Sequence, residues 1–131
     1  LMSTLKVNTI QNTSGGSSST PEQLEQGRAK VWANIRTSGT NIIRDSFNCS
    51  SITDVGSDTA RLNFSTSFSN VNYAVTCSAI EDDASNTSRT PRLANPTRKA
   101  LVTNQVFLAT CDMNDSSRSV FAIMVAIFGD M

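Results

Sequence analysis

Apolar residues along this chain recur mainly at every second position. In residues 60–68, ARLNFSTSF, the side chains of Ala60, Leu62, Phe64 and Phe68 fall on one side, and Arg61, Asn63, Ser65 and Ser67 on the other. Strict period two predicts a strand with one core face and one wet face. Residues 73–80, YAVTCSAI, align Tyr73, Val75, Cys77 and Ala79 in the same way. Further strands are predicted over residues 30–36, 42–47, 50–54, 105–111 and 119–128. Turns are predicted at residues 38–40, 55–58 and 69–72, where Gly, Asn, Asp and Ser gather. The one helical signal is Thr20-Pro21-Glu22: a capping residue, a proline at the first helical position and an early acid. It predicts one or two turns over residues 21–26, because Gly27 follows and Leu24 is the main apolar anchor.

The last strand departs from simple alternation. Val120, Ala122, Met124, Ala126 and Phe128 line one face; Phe121, Ile123, Val125 and Ile127 line the other. Both faces are apolar, so both must be covered. Either the strand is central between two layers, or its second face is a subunit interface. About seven strands in some 100 residues predict an all-β fold, an antiparallel β-sandwich of jelly-roll-like form.

Two segments break this rhythm. Residues 3–12, STLKVNTIQN, carry Leu5, Val7 and Ile10 with little to pack on, and residues 13–20, TSGGSSST, have the composition of a flexible linker. Residues 1–20 therefore read as an N-terminal attachment and oligomerisation arm, and residues 21–131 as the β domain. The second segment, residues 81–99, is polar, holds two prolines and shows no periodicity. Loops longer than about 12–15 residues are uncommon inside compact domains and are often functional.

Composition narrows the chemistry. The 131 residues include no His, which excludes Ser-His-Asp and Cys-His catalytic units and His-based metal sites. Eleven Lys plus Arg balance eleven Asp plus Glu. Without a basic excess there is little to neutralise phosphates, so no nucleic-acid partner is expected. Ser, Thr and Asn number 19, 15 and 12; these small polar residues favour turns and strand surfaces over helices. Cys49, Cys77 and Cys111 form no C-x-x-C pair, and three cannot make a full disulfide framework, so they read as small buried hydrophobes. The nine apolar residues 120–128 fall short of the roughly 20 that a spanning helix needs. The chain reads as a protein made in a reducing cytoplasm, with no membrane insertion.

Candidate sites are few. Glu81-Asp82-Asp83 is the one acidic cluster, but it lacks the alternating ligands and glycine of a calcium loop. It is expected to be a solvated strand end, with no metal and no cofactor. Arg89, Arg92, Asn95 and Arg98 in the long loop, with Asp115 and Arg118 in the 112–118 loop, are the candidates for contact with an anionic or sugar surface. The aromatic faces of Trp32 and Tyr73 suit stacking on a sugar ring. The place of Trp32 beside Val31 and Ile35 favours core or interface packing. The candidate oligomer interface is Leu5, Val7, Ile10, Trp32, Phe121, Ile123, Val125 and Ile127. Closed association of copies would bury both the arm and the spare face of the last strand.

Three stretches carry a family resemblance. The opening STLKVNTIQNTSGGSSSTPEQLEQGRAKVWANI, the segment IRDSFNCSSITDVGSDTARLNFSTSFSNVNYAV and the closing VAIFGD resemble small tail-fibre-type virion proteins of tailed bacteriophages, notably those infecting marine cyanobacteria. The resemblance spans nearly the whole chain, residues 81–99 least. Cys49 stands where that family usually has Val, and Ile35 where it usually has Phe. The resemblance implies a structural protein of the virion, made in the host cytoplasm, assembling as a homotrimer with its arm joining the three chains or docking on other virion proteins. It implies a non-enzymatic tail-fibre or fibre-tip component for host attachment, with host cell-surface polysaccharide or an outer-membrane receptor as the target. The rival is a capsid decoration, collar or fibre-assembly protein without a receptor. A glycan depolymerase would need a carboxylate pair facing one groove, and no such pair stands out.

Overall fold

The structure is a computed structural model that describes residues 3–37, 40–56, 59–80, 94–96, 101–110 and 122–131. In chain order the elements are β1 (Ile10–Gln11), β2 (Ser18–Ser19), α1 (Pro21–Gly27), β3 (Val31–Arg36), β4 (Ile42–Phe47) and β5 (Cys49–Gly56), then β6 (Thr59–Phe64), β7 (Ala74–Ile80), β8 (Ala94–Pro96), β9 (Gln105–Thr110) and β10 (Ala122–Phe128). Among the described residues the fold is all-β apart from one short helix, and every strand pairing is antiparallel. The first four-stranded sheet has the order β4-β3-β10-β7, and the second has the order β5-β6-β9-β8.

One core draws on both sheets. Val31, Ala33 and Ile35 of β3 and Ile123, Val125 and Ile127 of β10 meet Leu62 and Phe64 of β6 and Val106 and Leu108 of β9. The alternation read from residues 60–68 holds here: Ala60, Leu62, Phe64 and Phe68 are all buried. The strand nevertheless stops at Phe64, and Phe68 reaches the core from the following turn, where its N–H bonds to the Thr103 carbonyl at 2.8 Å. Phe64, Phe68 and Tyr73 form an aromatic trio, with centroids 4.7 to 6.4 Å apart. The Tyr73 hydroxyl donates to the carbonyls of Val102 (3.0 Å) and Gln105 (3.3 Å), so the buried ring has a satisfied polar end.

Two expectations change. Residues 13–20 are not a featureless linker. Asn12 Oδ1 accepts from Ser14 Oγ, Gly16 N and Ser17 N, and Gly15 takes φ 71°, so the segment folds back as a small hairpin joining β1 to β2. Residues 81–99 contain a strand, β8, at the edge of the second sheet. The proline signal pointed to loop, but Pro96 is tolerated there because an edge strand has one side without ladder bonds. The helix follows its signals: Thr20 and Gln23 form a reciprocal capping box and Pro21 opens the first turn.

Candidate interaction surface

The first sheet places an exposed aromatic pair on its outside, beside a mostly polar row. Along β3 the inward residues are Val31, Ala33 and Ile35, which leaves Trp32, Asn34 and Arg36 on the opposite side. Trp32 pairs with Phe47 of β4 on one flank and Ala126 of β10 on the other. The next row runs Asp45, Asn34, Met124 and Ser78, and Ile42 and Ile80 stand at the two sheet edges. Trp32 is 38% exposed and Phe47 48%. Large aromatic side chains side by side in water are a feature of contact surfaces more than of solvated sheet faces.

The chain around Phe47 is held firmly. Asn48 links the two sheets as the single residue between β4 and β5 and adopts φ 57°. Asn tolerates this left-handed conformation better than most residues. Its side chain accepts from Thr66 N at 2.7 Å and donates to the Thr66 carbonyl at 3.0 Å, which pins the crossing. Just beyond it, Cys49 Sγ donates to the carbonyls of Trp32 and Phe47, both at 3.5 Å. Burial pushes the Cys49 thiol up to about 11, so it is a neutral packing group at physiological pH. Burial also raises the Cys77 thiol. Both agree with a packing role and not with a nucleophile's lowered pKa.

The arm, too, exposes apolar side chains. Leu5 is 85% exposed, and Val7 and Ile10 are exposed as well. Residues 3–9 carry no strand, while the hairpin behind them is closed on itself. The outside of the second sheet is different in kind. There Asn63 Nδ2 donates to Ser51 Oγ (2.9 Å) and Thr53 Oγ1 (3.3 Å), and Arg61 Nη2 donates to Thr53 Oγ1 at 3.4 Å. These polar side chains bond to one another beside Phe107, which stands opposite Arg61.

The residues expected at an interface differ in burial. Leu5, Val7, Ile10 and Trp32 are exposed. Ile123, Val125 and Ile127 are a correction: they are buried in the chain's own core, against residues of both sheets. The phase of β10 is opposite to that expected, and Met124, Ala126 and Phe128 are its half-buried outer residues. Phe121 lies outside the described residues, as do Arg89, Arg92, Arg98, Asp115, Arg118 and the acidic cluster 81–83. Asn95 is on β8 opposite Ala109. Sequence reading missed Phe47, whose place beside Trp32 depends on the β3–β4 register. Among the described residues no group of three or more His, Cys, Asp or Glu could hold a metal ion, and no helix is long and apolar enough to cross a membrane. Set beside known proteins, the chain matches no family model, no curated protein and no solved structure.

Proposed function

We propose that the protein is a non-enzymatic virion component of a tailed bacteriophage: a tail-fibre or fibre-tip subunit that attaches to the host surface as a homotrimer. In this reading the two sheets form a jelly-roll-like β-sandwich, and the arm joins the copies or docks on other virion proteins. Host-surface polysaccharide or an outer-membrane receptor meets the segments 81–99 and 112–118. The observation that carries the self-association is the exposed Trp32–Phe47 pair together with an arm whose Leu5 is almost wholly in water. Lone chains leave both the pair and the arm wet, and association removes them from water. The virion assignment rests on the resemblance of the opening and IRDSFN segments to tail-fibre-type proteins. Three weak sites on one trimer raise the effective affinity without any tight single site, which suits a reversible first landing.

A second reading, a decoration or collar protein without a receptor, is favoured by the mutually bonded polar side chains around Asn63, where hydroxyls already satisfy the amide. Purified protein added to host cells and to mutants lacking surface polysaccharide separates the two. Binding that disappears with the polysaccharide supports adhesion. No binding to either cell type at high protein concentration contradicts it and leaves decoration.

A further inference from the structure

We infer that residues 3–28 form a hinged unit that one ion pair, Glu25 with Lys30, latches to the β domain. The unit is organised by its own bonds. Asn12 Oδ1 gathers the hairpin, and the reciprocal bonds of Thr20 and Gln23 fix the start of α1. It adds nothing to the core: no residue of α1 is buried, and along residues 3–28 only Ser19, Thr20 and Pro21 are half-buried. From Lys30 onward the chain is anchored, because Lys30 N–H bonds to the Ile127 carbonyl at 2.8 Å and β3 follows. Among the described residues, the bond from Lys30 Nζ to Glu25 Oε1 is the one hydrogen bond or ion pair that joins residues 3–28 to the rest of the chain.

The hinge lies between the helix and the anchor. Only Arg28 and Ala29 separate Gly27, the last helical residue, from Lys30. Arg28 is extended, with φ −87° and ψ 133°, and its N–H makes a 3.3 Å bond to the Glu25 carbonyl. Beyond the helix and its adjoining residues, nothing comes within 4 Å of the place a Gly27 Cβ would take, so a turn there displaces no packed neighbour. Lys30 is 4% exposed and is the one buried charged residue among the described ones. A buried ammonium without a partner is costly, yet pairing only about offsets the desolvation of the two ions. The pair therefore separates two positions of similar free energy: closed, with Lys30 covered, and open, with Lys30 and Glu25 both hydrated. Leu5, Val7, Ile10 and Leu24 are all exposed on the unit, so the latch sets where these apolar side chains are presented. The device works within one chain and does not depend on the virion reading.

Backbone nitrogen-15 relaxation of the full chain tests this. Rigid backbone has order parameters of about 0.85, and backbone moving on the nanosecond scale falls below about 0.6. In the parent, α1 should match β3 and β10. Glu25→Gln and Lys30→Met each remove the pair, and Met keeps an unbranched apolar stem in the buried place. Either variant should lower the order parameters of residues 21–28 together, to below about 0.6, while β3, β6 and β10 keep the parental values. Arg28→Gln removes only a bond inside the unit and should change neither set. If Lys30→Met does not fold, Glu25→Gln decides, because Glu25 is an exposed residue. Low values in α1 of the parent, parental values in Glu25→Gln, or a loss spread equally through β3 and β10 overturns the latch.

Discussion

Trp32 on β3 stands directly opposite Phe47 on β4, and both rings lie on the outer side of the sheet whose inner side builds the core. Phe47 is 48% exposed, so removing the rest of its ring from water is worth about half of a full burial, roughly 0.7–1.5 kcal/mol, and a symmetric assembly repeats the gain at every copy. The double variant Trp32→Ser, Phe47→Ser should keep the far-ultraviolet spectrum of the parent while its solution mass falls. In the parent, fluorescence of Trp32, the only tryptophan, should move to shorter wavelength as protein concentration rises. An emission maximum independent of concentration, in a protein that remains monomeric, contradicts a role for this pair in association.

The phase of β10 gives a sharper contrast between neighbours. Val125 is buried and Met124 is half-buried on the outer side. A charge placed in the core is left unpaired and desolvated, so Val125→Asp should abolish cooperative unfolding, whereas Met124→Ser should keep it. Equal tolerance of the two substitutions would show the phase to be wrong.

Period-two alternation made β6 and β7 readable from the sequence because each has one wet face; β3 was readable from its β-branched and aromatic residues, and IIRDSF of β4 and QVFLAT of β9 do not alternate. β10 was legible as a strand but not in orientation. When both parities are apolar the pattern carries no phase, and only the partners opposite Ile123, namely Ile35 and Ala79, settle which side is in. β8 was hidden because its three residues include a proline that reads as loop. The Trp32–Phe47 pair was hidden for another reason. Their alignment depends on a register that shifts between Asn34 and Ile35, and no local pattern encodes such a shift.

The chain closes on a tight contact. A methyl group on Gly129 would sit 2.7 Å from Tyr73 Cβ and 3.2 Å from the Phe68 ring. Next to it, Ser69 N–H bonds to the Asp130 carbonyl at 2.9 Å. Gly129→Ala should therefore cost about 1–3 kcal/mol through overpacking, read as a lower urea midpoint with an unchanged slope. An unchanged midpoint would mean that the aromatic trio does not seat against the terminal residues.

Acid should weaken the tie between α1 and Lys30, the residue that leads into β3. Glu25 on α1 accepts hydrogen bonds from the buried Lys30 side chain and from Arg28. The bond from Lys30 holds its carboxyl below the usual 4.5. A carboxyl lowered in the folded state adds stability that is complete above its unfolded value and is lost as pH falls through the folded one. Glu25→Gln should lower the urea midpoint at neutral pH, and the gap to the parent should close on acidification below 4.5. A gap that is constant with pH would exclude the ion pair as its source.

Shared burial between copies is most directly tested by the solution mass of the full chain, measured by light scattering over a range of concentrations. The expected result is a species of three times the 14.1 kDa chain mass. A single-chain mass at every concentration would leave Leu5, Trp32 and Phe47 permanently in water and would contradict the account.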